Sequence, residues 1–151
     1  MGALATSAGA ADATIAGQIL ALVNEARAEQ GLAPLALEPR LARAAQGFAD
    51  DLASRRTLSH TDRRGGRPPE RFAQVGYRYA IAEEAVAAGQ KTSAEVVADW
   101  LASPAHRALL LDREVRDAGV GHVFRADDRP GRGLGHYWVI DLGLAAPAQS
   151  R

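Results

Sequence analysis

Ala118-Gly119-Val120-Gly121-His122-Val123-Phe124-Arg125 and Gly135-His136-Tyr137-Trp138-Val139-Ile140-Asp141-Leu142-Gly143-Leu144 decide the fold class. Both runs are rich in β-branched and aromatic residues. Asp127-Asp128-Arg129-Pro130-Gly131 lies between them and carries strong turn chemistry. The two runs read as an antiparallel hairpin at the end of the chain. Upstream, the patterning is mostly helical. Helices first and strands last argue an α+β fold.

The helical readings rest on period and caps. Thr14 caps a helix whose apolar face is Ile15, Ile19, Leu22, Val23 and Ala26, and Gly31 stops it. Pro39 suits the first turn of a second helix, with Leu41, Ala44, Ala45, Phe48 and Leu52 as its buried stripe. A polar loop over 59–69 follows, then a short helix over 69–75 closed by Gly76. Residues 77–88 are alanine-rich, contain Glu83-Glu84 and show no clean period. Thr92-Ser93-Ala94-Glu95 is a capping-box pattern, with Thr92 bonding forward and Glu95 bonding back. It opens a helix with Val96, Val97, Trp100 and Leu101 inward. Ser103-Pro104 ends that helix, and a short one carrying His106 and Leu109 to Leu111 follows.

Composition bounds the function. The chain has 151 residues, which is one domain by length. A hydrophobic share of 47% supports a core, and a charge balance of +0 argues against a general pull toward nucleic acid or anionic membrane. With 0 cysteines there is no disulfide framework and no thiolate chemistry. No stretch is long and apolar enough to span a bilayer. Residues 1–13 are small and polar. They read as a disordered leader or the remnant left by signal removal, with 14–146 as the domain and 147–151 as a tail.

Chemistry concentrates around two of the 4 histidines. His60 sits in Leu58-Ser59-His60-Thr61. His106 sits in Ser103-Pro104-Ala105-His106-Arg107. Glu83-Glu84 lies between them, and Asp117-Ala118-Gly119-Val120-Gly121 follows. Two imidazoles and two carboxylates meeting in one cleft make a site for metal binding or acid–base work. Each residue also has an ordinary reading: a solvated loop histidine, an exposed glutamate, an aspartate at a strand entry. Arg55, Arg56, Arg63, Arg64, Arg67 and Arg71 cluster near His60, as a solvated loop or an anion-attracting rim. Trp100 reads as core, and so does one of Tyr137 and Trp138, which face opposite ways on a strand. Tyr77 and Tyr79 point the same way if extended. His122 and His136 read as structural or surface residues.

These islands, with Asn24-Glu25-Ala26-Arg27 and Gly31-Leu32-Ala33-Pro34-Leu35 in front, resemble the CAP superfamily of SCP-like extracellular proteins. The likeness runs from about Ile19 to Leu144 and is nearest to the cysteine-free bacterial members. It implies a three-layer α-β-α sandwich with a central antiparallel sheet. It also implies a cleft tetrad of His60, Glu84, His106 and Asp117, with His60 and His106 as candidate ligands of zinc or another divalent metal. In the tetrad's motifs Glu83 replaces a glycine, Ala85 an asparagine and Asp117 a glutamate. Glu83 beside Glu84 is expected to raise one pKa by like charge.

The resemblance implies an exported, secreted or periplasmic envelope protein, with the signal absent from these residues, and a monomer. Its cleft would take a divalent metal or a small lipid-like or peptide ligand. Two other readings stay open. One is an envelope interaction domain with a relic site. The other is a metal-assisted peptidase with Glu84 as general base.

Overall fold

The computed structural model describes residues 14–129 and 133–149. The leader over 1–13, the Pro130-Gly131 part of the turn and the last two tail residues lie outside the described residues. The elements in order are α1 (Ile15–Glu29), β1 (Ala36–Leu37), α2 (Pro39–Arg55), α3 (Pro68–Gln74), β2 (Tyr79–Ala88), α4 (Ser93–Ala102), α5 (Pro104–Leu110), β3 (Asp117–Phe124) and β4 (His136–Ala145).

The strands form one sheet in the order β1-β3-β4-β2. β3–β4 and β2–β4 are antiparallel, and the two-residue β1 joins β3 in parallel. The α+β class and the three layers expected from the sequence are present. Within the ambiguous 77–88 segment, Tyr79–Ala88 is a strand, and its alternation explains the lack of a helical period. Ala85 and Ala87 face one layer, Val86 the other.

The side toward α1, α4 and α5 buries Ile19, Val23, Val96, Val97, Trp100 and Leu110 against Ala118, Val120, Trp138, Ile140 and Leu142. The opposite side packs α2, through Ala45, Phe48 and Leu52, on Val86, Tyr137 and Val139. Tyr137 and Trp138 do face opposite sides, but both are core. Tyr77 and Tyr79 both meet the Phe72 ring edge-on, at 5.8 and 6.3 Å. Theirs is a packing role.

α2 lies almost on the sheet. A Cβ at Gly119 would stand 2.1 Å from the Leu41 carbonyl carbon, and one at Gly121 2.3 Å from the Ala45 oxygen. Only glycine permits that approach.

The caps follow the sequence with one shift. Thr14 accepts from the Gly17 N–H at 2.9 Å and Thr92 from Glu95 N–H at 3.1 Å. Glu95 reaches back to the Lys91 N–H at 2.8 Å, one residue beyond the expected box. Position 27 holds the least expected core side chain. Arg27 is fully buried below Ile19 and Val23, and donates to the carbonyls of Ala33, Leu110 and Asp112 at 2.8–2.9 Å. It ties α1 to the segment leading into β3.

Candidate functional site

β2 is the outermost strand, and the site is built around its free side. Glu84 projects toward the α2 side, where its carboxylate is 1% exposed. His60 comes from the loop before α3 and stays 46% exposed. Its Nδ1 lies 3.1 Å from Glu84 Oε1. An ionised carboxylate only accepts, so the proton sits on Nδ1 and the Nε2 lone pair points away from Glu84. Arg71, from α3, donates to Glu84 Oε2 at 2.5 Å and to the carbonyls of His60 and Gly66 at 3.2 and 2.7 Å. Its guanidinium lies 3.6 Å above the Phe48 ring centroid. One buried cation therefore holds the glutamate, the histidine's backbone and the loop that carries it.

His106 approaches from α5, in the other helical layer. Burial first, and then charge repulsion with His60, lower the His106 pKa and favour its neutral imidazole. His60 and Glu84 are thus brought together, and His106 lies near enough for His60 to act on its pKa. Asp117 is not in that group. It starts β3, two strands from Glu84, and accepts from the Tyr77 hydroxyl at 2.7 Å. Burial and this Asp117 contact raise the Tyr77 pKa. Glu84 also fits poorly as a general base for water, because each of its oxygens already has a partner.

The acidic neighbour of Glu84 is Asp141, which is absent from the tetrad expected from the sequence. The two are paired across β2 and β4, and Asp141 is fully buried with neither oxygen hydrogen-bonded. Burial, then the negative charge of Glu84, hold its pKa well above the carboxylate range, against the pull of Arg71. The protonated form of Asp141 is therefore favoured here. The sequence does carry a signal for it: Tyr137, Val139 and Asp141 alternate onto one face of an otherwise apolar strand, which puts a carboxyl in the core.

Glu83 faces away from Glu84. Its pKa rises to about 7 through burial first, then hydrogen bonding to Asp112 and the charges of Asp112 and Glu114. The like-charge effect expected from Glu84 is not among these causes; the neighbouring negative charges come from the α5–β3 connection. The folded state therefore keeps a proton that the unfolded chain releases near pH 4.5. Stability falls as pH rises from there through about 7, and the penalty is complete above that. Glu83→Gln should raise stability at pH 8 by about 1–2 kcal/mol, after allowance for solvent screening, and leave it nearly unchanged at pH 4. Thermal melts at the two pH values check this. Equal gains at both would remove the titration as the cause.

The arginine cluster disperses. Arg55 pairs with Asp51 at 2.5 Å, and Arg56 with Asp127 and Asp128 at 3.0 and 2.8 Å. Arg63 donates to Ser54 at 2.8 Å. Arg63, Arg64 and Arg71 also line a groove of about 540 Å³ beside α2 and α3, with Ala44, Phe48 and Val75 in its apolar lining. Asp50, Asp51 and Asp62 share its wall with Arg43, Arg63, Arg64 and Arg71, so most of the positive charge of the expected anion-attracting rim is offset.

Among the described residues no three His, Cys, Asp or Glu side chains converge as a metal group, and no helix is long and apolar enough to cross a membrane.

Comparison with known proteins agrees with this architecture. The model of the cysteine-rich secretory protein family, CAP, matches residues 20–142. The Bacillus subtilis protein YkwD is 33% identical over 106 residues, which is 70% of this chain and 41% of YkwD. The chain thus spans less than half the length of that relative. An outer surface protein from Borrelia burgdorferi superimposes with a TM-score of 0.76 at 23% identity, covering 85% of this chain and 91% of that one. An extracellular SCP-domain protein from Bacillus anthracis gives 0.74 at 23% identity, over 85% of this chain and 40% of its own.

Proposed function

The chain belongs to the cysteine-rich secretory protein (CAP) family, and from that premise we propose an exported bacterial binding module whose cleft takes a divalent metal between His60 and His106. The observation that carries this reading is the contact between His60 Nδ1 and Glu84 Oε1. A metal-bound histidine needs its other nitrogen held by a carboxylate or carbonyl, which fixes the tautomer and raises the ligand's basicity. Glu84 does that for His60, and Arg71 holds Glu84 in place. His106, kept neutral by burial, offers a second imidazole.

Two imidazoles suit zinc but leave coordination positions open. Zinc there would supply a Lewis acid for a ligand's oxygen. A small lipid-like or peptide ligand would have the groove beside Arg71 for its apolar body. With Asp117 committed to Tyr77 and Glu84 to His60 and Arg71, no free carboxylate remains in the expected tetrad to activate water. Binding is therefore favoured over hydrolysis.

Calorimetric titration of zinc into chelator-stripped protein tests this, with His60→Ala/His106→Ala as the control. A saturable component that vanishes in the double variant is the expected result. Identical isotherms would replace the metal cleft with a metal-free interaction domain.

A further inference from the structure

A second imidazole pair lies on the hairpin, on the face away from Glu84. His122 Nε2 is 2.9 Å from His136 Nδ1, with the ring planes 20° apart and the centroids 5.2 Å apart. The rings meet nearly end to end. One nitrogen carries the proton and the other offers its lone pair. The register explains the meeting. His122 stands opposite Trp138 and Phe124 opposite His136, so the histidines are diagonal neighbours on one face.

The pair is held from several sides. β1 is only two residues long, so β3 beyond it lacks a strand partner there. The Gln46 side chain substitutes, donating to the His122 carbonyl at 3.1 Å and accepting from its N–H at 3.2 Å. The His122 ring lies 4.0 Å from Trp138, and His136 stacks on Phe124 at 4.5 Å. The charged groups facing His136 are Lys91 and Glu95, from the start of α4. Burial first lowers the pKa of both histidines, so both are neutral at pH 7.

We propose that His122 and His136 form a chelating seat for a borderline transition-metal dication, separate from the His60–His106 cleft. The metal would replace the shared proton. Two nitrogens at about 2.0–2.1 Å from a tetrahedral metal lie roughly 3.3 Å apart, so the rings must part by about 0.4 Å and each must tip by roughly 35° to turn its lone pair from the other nitrogen onto the metal. Imidazole donors select Zn²⁺, Ni²⁺ and Cu²⁺ over Mg²⁺ and Ca²⁺, with Cu²⁺ held most tightly. Water or a donor from another molecule fills the remaining positions. A metal here ties β3 to β4 beside the hairpin turn.

Trp138 is a built-in reporter, because Cu²⁺ quenches a nearby indole. The titration uses chelator-stripped His60→Ala/His106→Ala protein, so the cleft cannot contribute. Saturable quenching is expected, and His122→Gln or His136→Gln in that background should each weaken it at least about tenfold. Circular dichroism confirms that each variant is folded. Independently, Zn²⁺ should shift the His122 and His136 ring resonances in the proton spectrum of the unsubstituted chain. Absence of saturable quenching in the cleft variant, unchanged affinity in both glutamine variants, or unmoved His122 and His136 resonances would overturn the proposal.

Discussion

Gly119→Ala is expected to destabilise the protein by at least about 4 kcal/mol, above the usual 1–3 kcal/mol for an overpacked core. The obstacle is backbone. The added methyl would meet Leu41 C at 2.1 Å, Leu41 O at 2.3 Å and Ala42 N at 2.3 Å. No rotamer change moves those atoms, so α2 must lift from the sheet. Lifting it disturbs Phe48, whose ring lies under Arg71. It also disturbs Asp141, which pairs with Gly119 across β3 and β4. Urea denaturation against the unsubstituted chain measures the effect. A loss below about 1 kcal/mol would show that the helix can shift at little cost.

Arg71→Met should cost about 3–5 kcal/mol, the range for removing one partner of a buried ion pair. Methionine keeps much of the apolar contact with Phe48, which isolates the polar loss. Glu84 would remain buried without its cation, and the carbonyls of His60 and Gly66 would lose their donor. The His60 loop is then untethered, so zinc uptake at the cleft should weaken along with stability. Denaturation and the zinc titration report the two effects separately. Near-normal stability would mean that Glu84 finds another partner or turns outward.

The parts of this fold that are legible in the sequence have local causes. Thr14, Pro39, Thr92 and the Ser103-Pro104 break each set a helix end through a neighbour within a turn. The hairpin announces itself through its strands and turn chemistry. What stays hidden depends on distant partners. β1 is a strand because the Ala36 N–H reaches the Arg116 carbonyl and the Glu38 N–H the Ala118 carbonyl, both at 2.9 Å. Tyr79–Ala88 is a strand because β4 lies beside it, while its alanines also suit a helix. In the site, His60, Glu84 and His106 can be found by their sequence frames. Arg71 reads as one surface cation among several, because nothing in its neighbourhood shows that Phe48 covers it and Glu84 faces it. Asp117 is drawn to the cleft by its place in a motif, whereas its carboxylate belongs to Tyr77.

The position of β2 at the border of the sheet carries a further consequence, for how the molecule avoids its own copies. Among the described residues, one side of Tyr79–Ala88 has no neighbouring strand, and the Trp100 indole reaches the Val86 carbonyl at 3.2 Å. Apart from its two glutamates the segment is tyrosine, alanine, isoleucine and valine, without proline. Such a border templates intermolecular pairing and aggregation unless charge interrupts it. Glu83 supplies the interruption at its centre, since Glu84 is 1% exposed and paired with Arg71. Glu83, which lowers stability above pH 7, is on this view a gatekeeper: the carboxylate that strains the folded chain also keeps a second chain from extending the sheet.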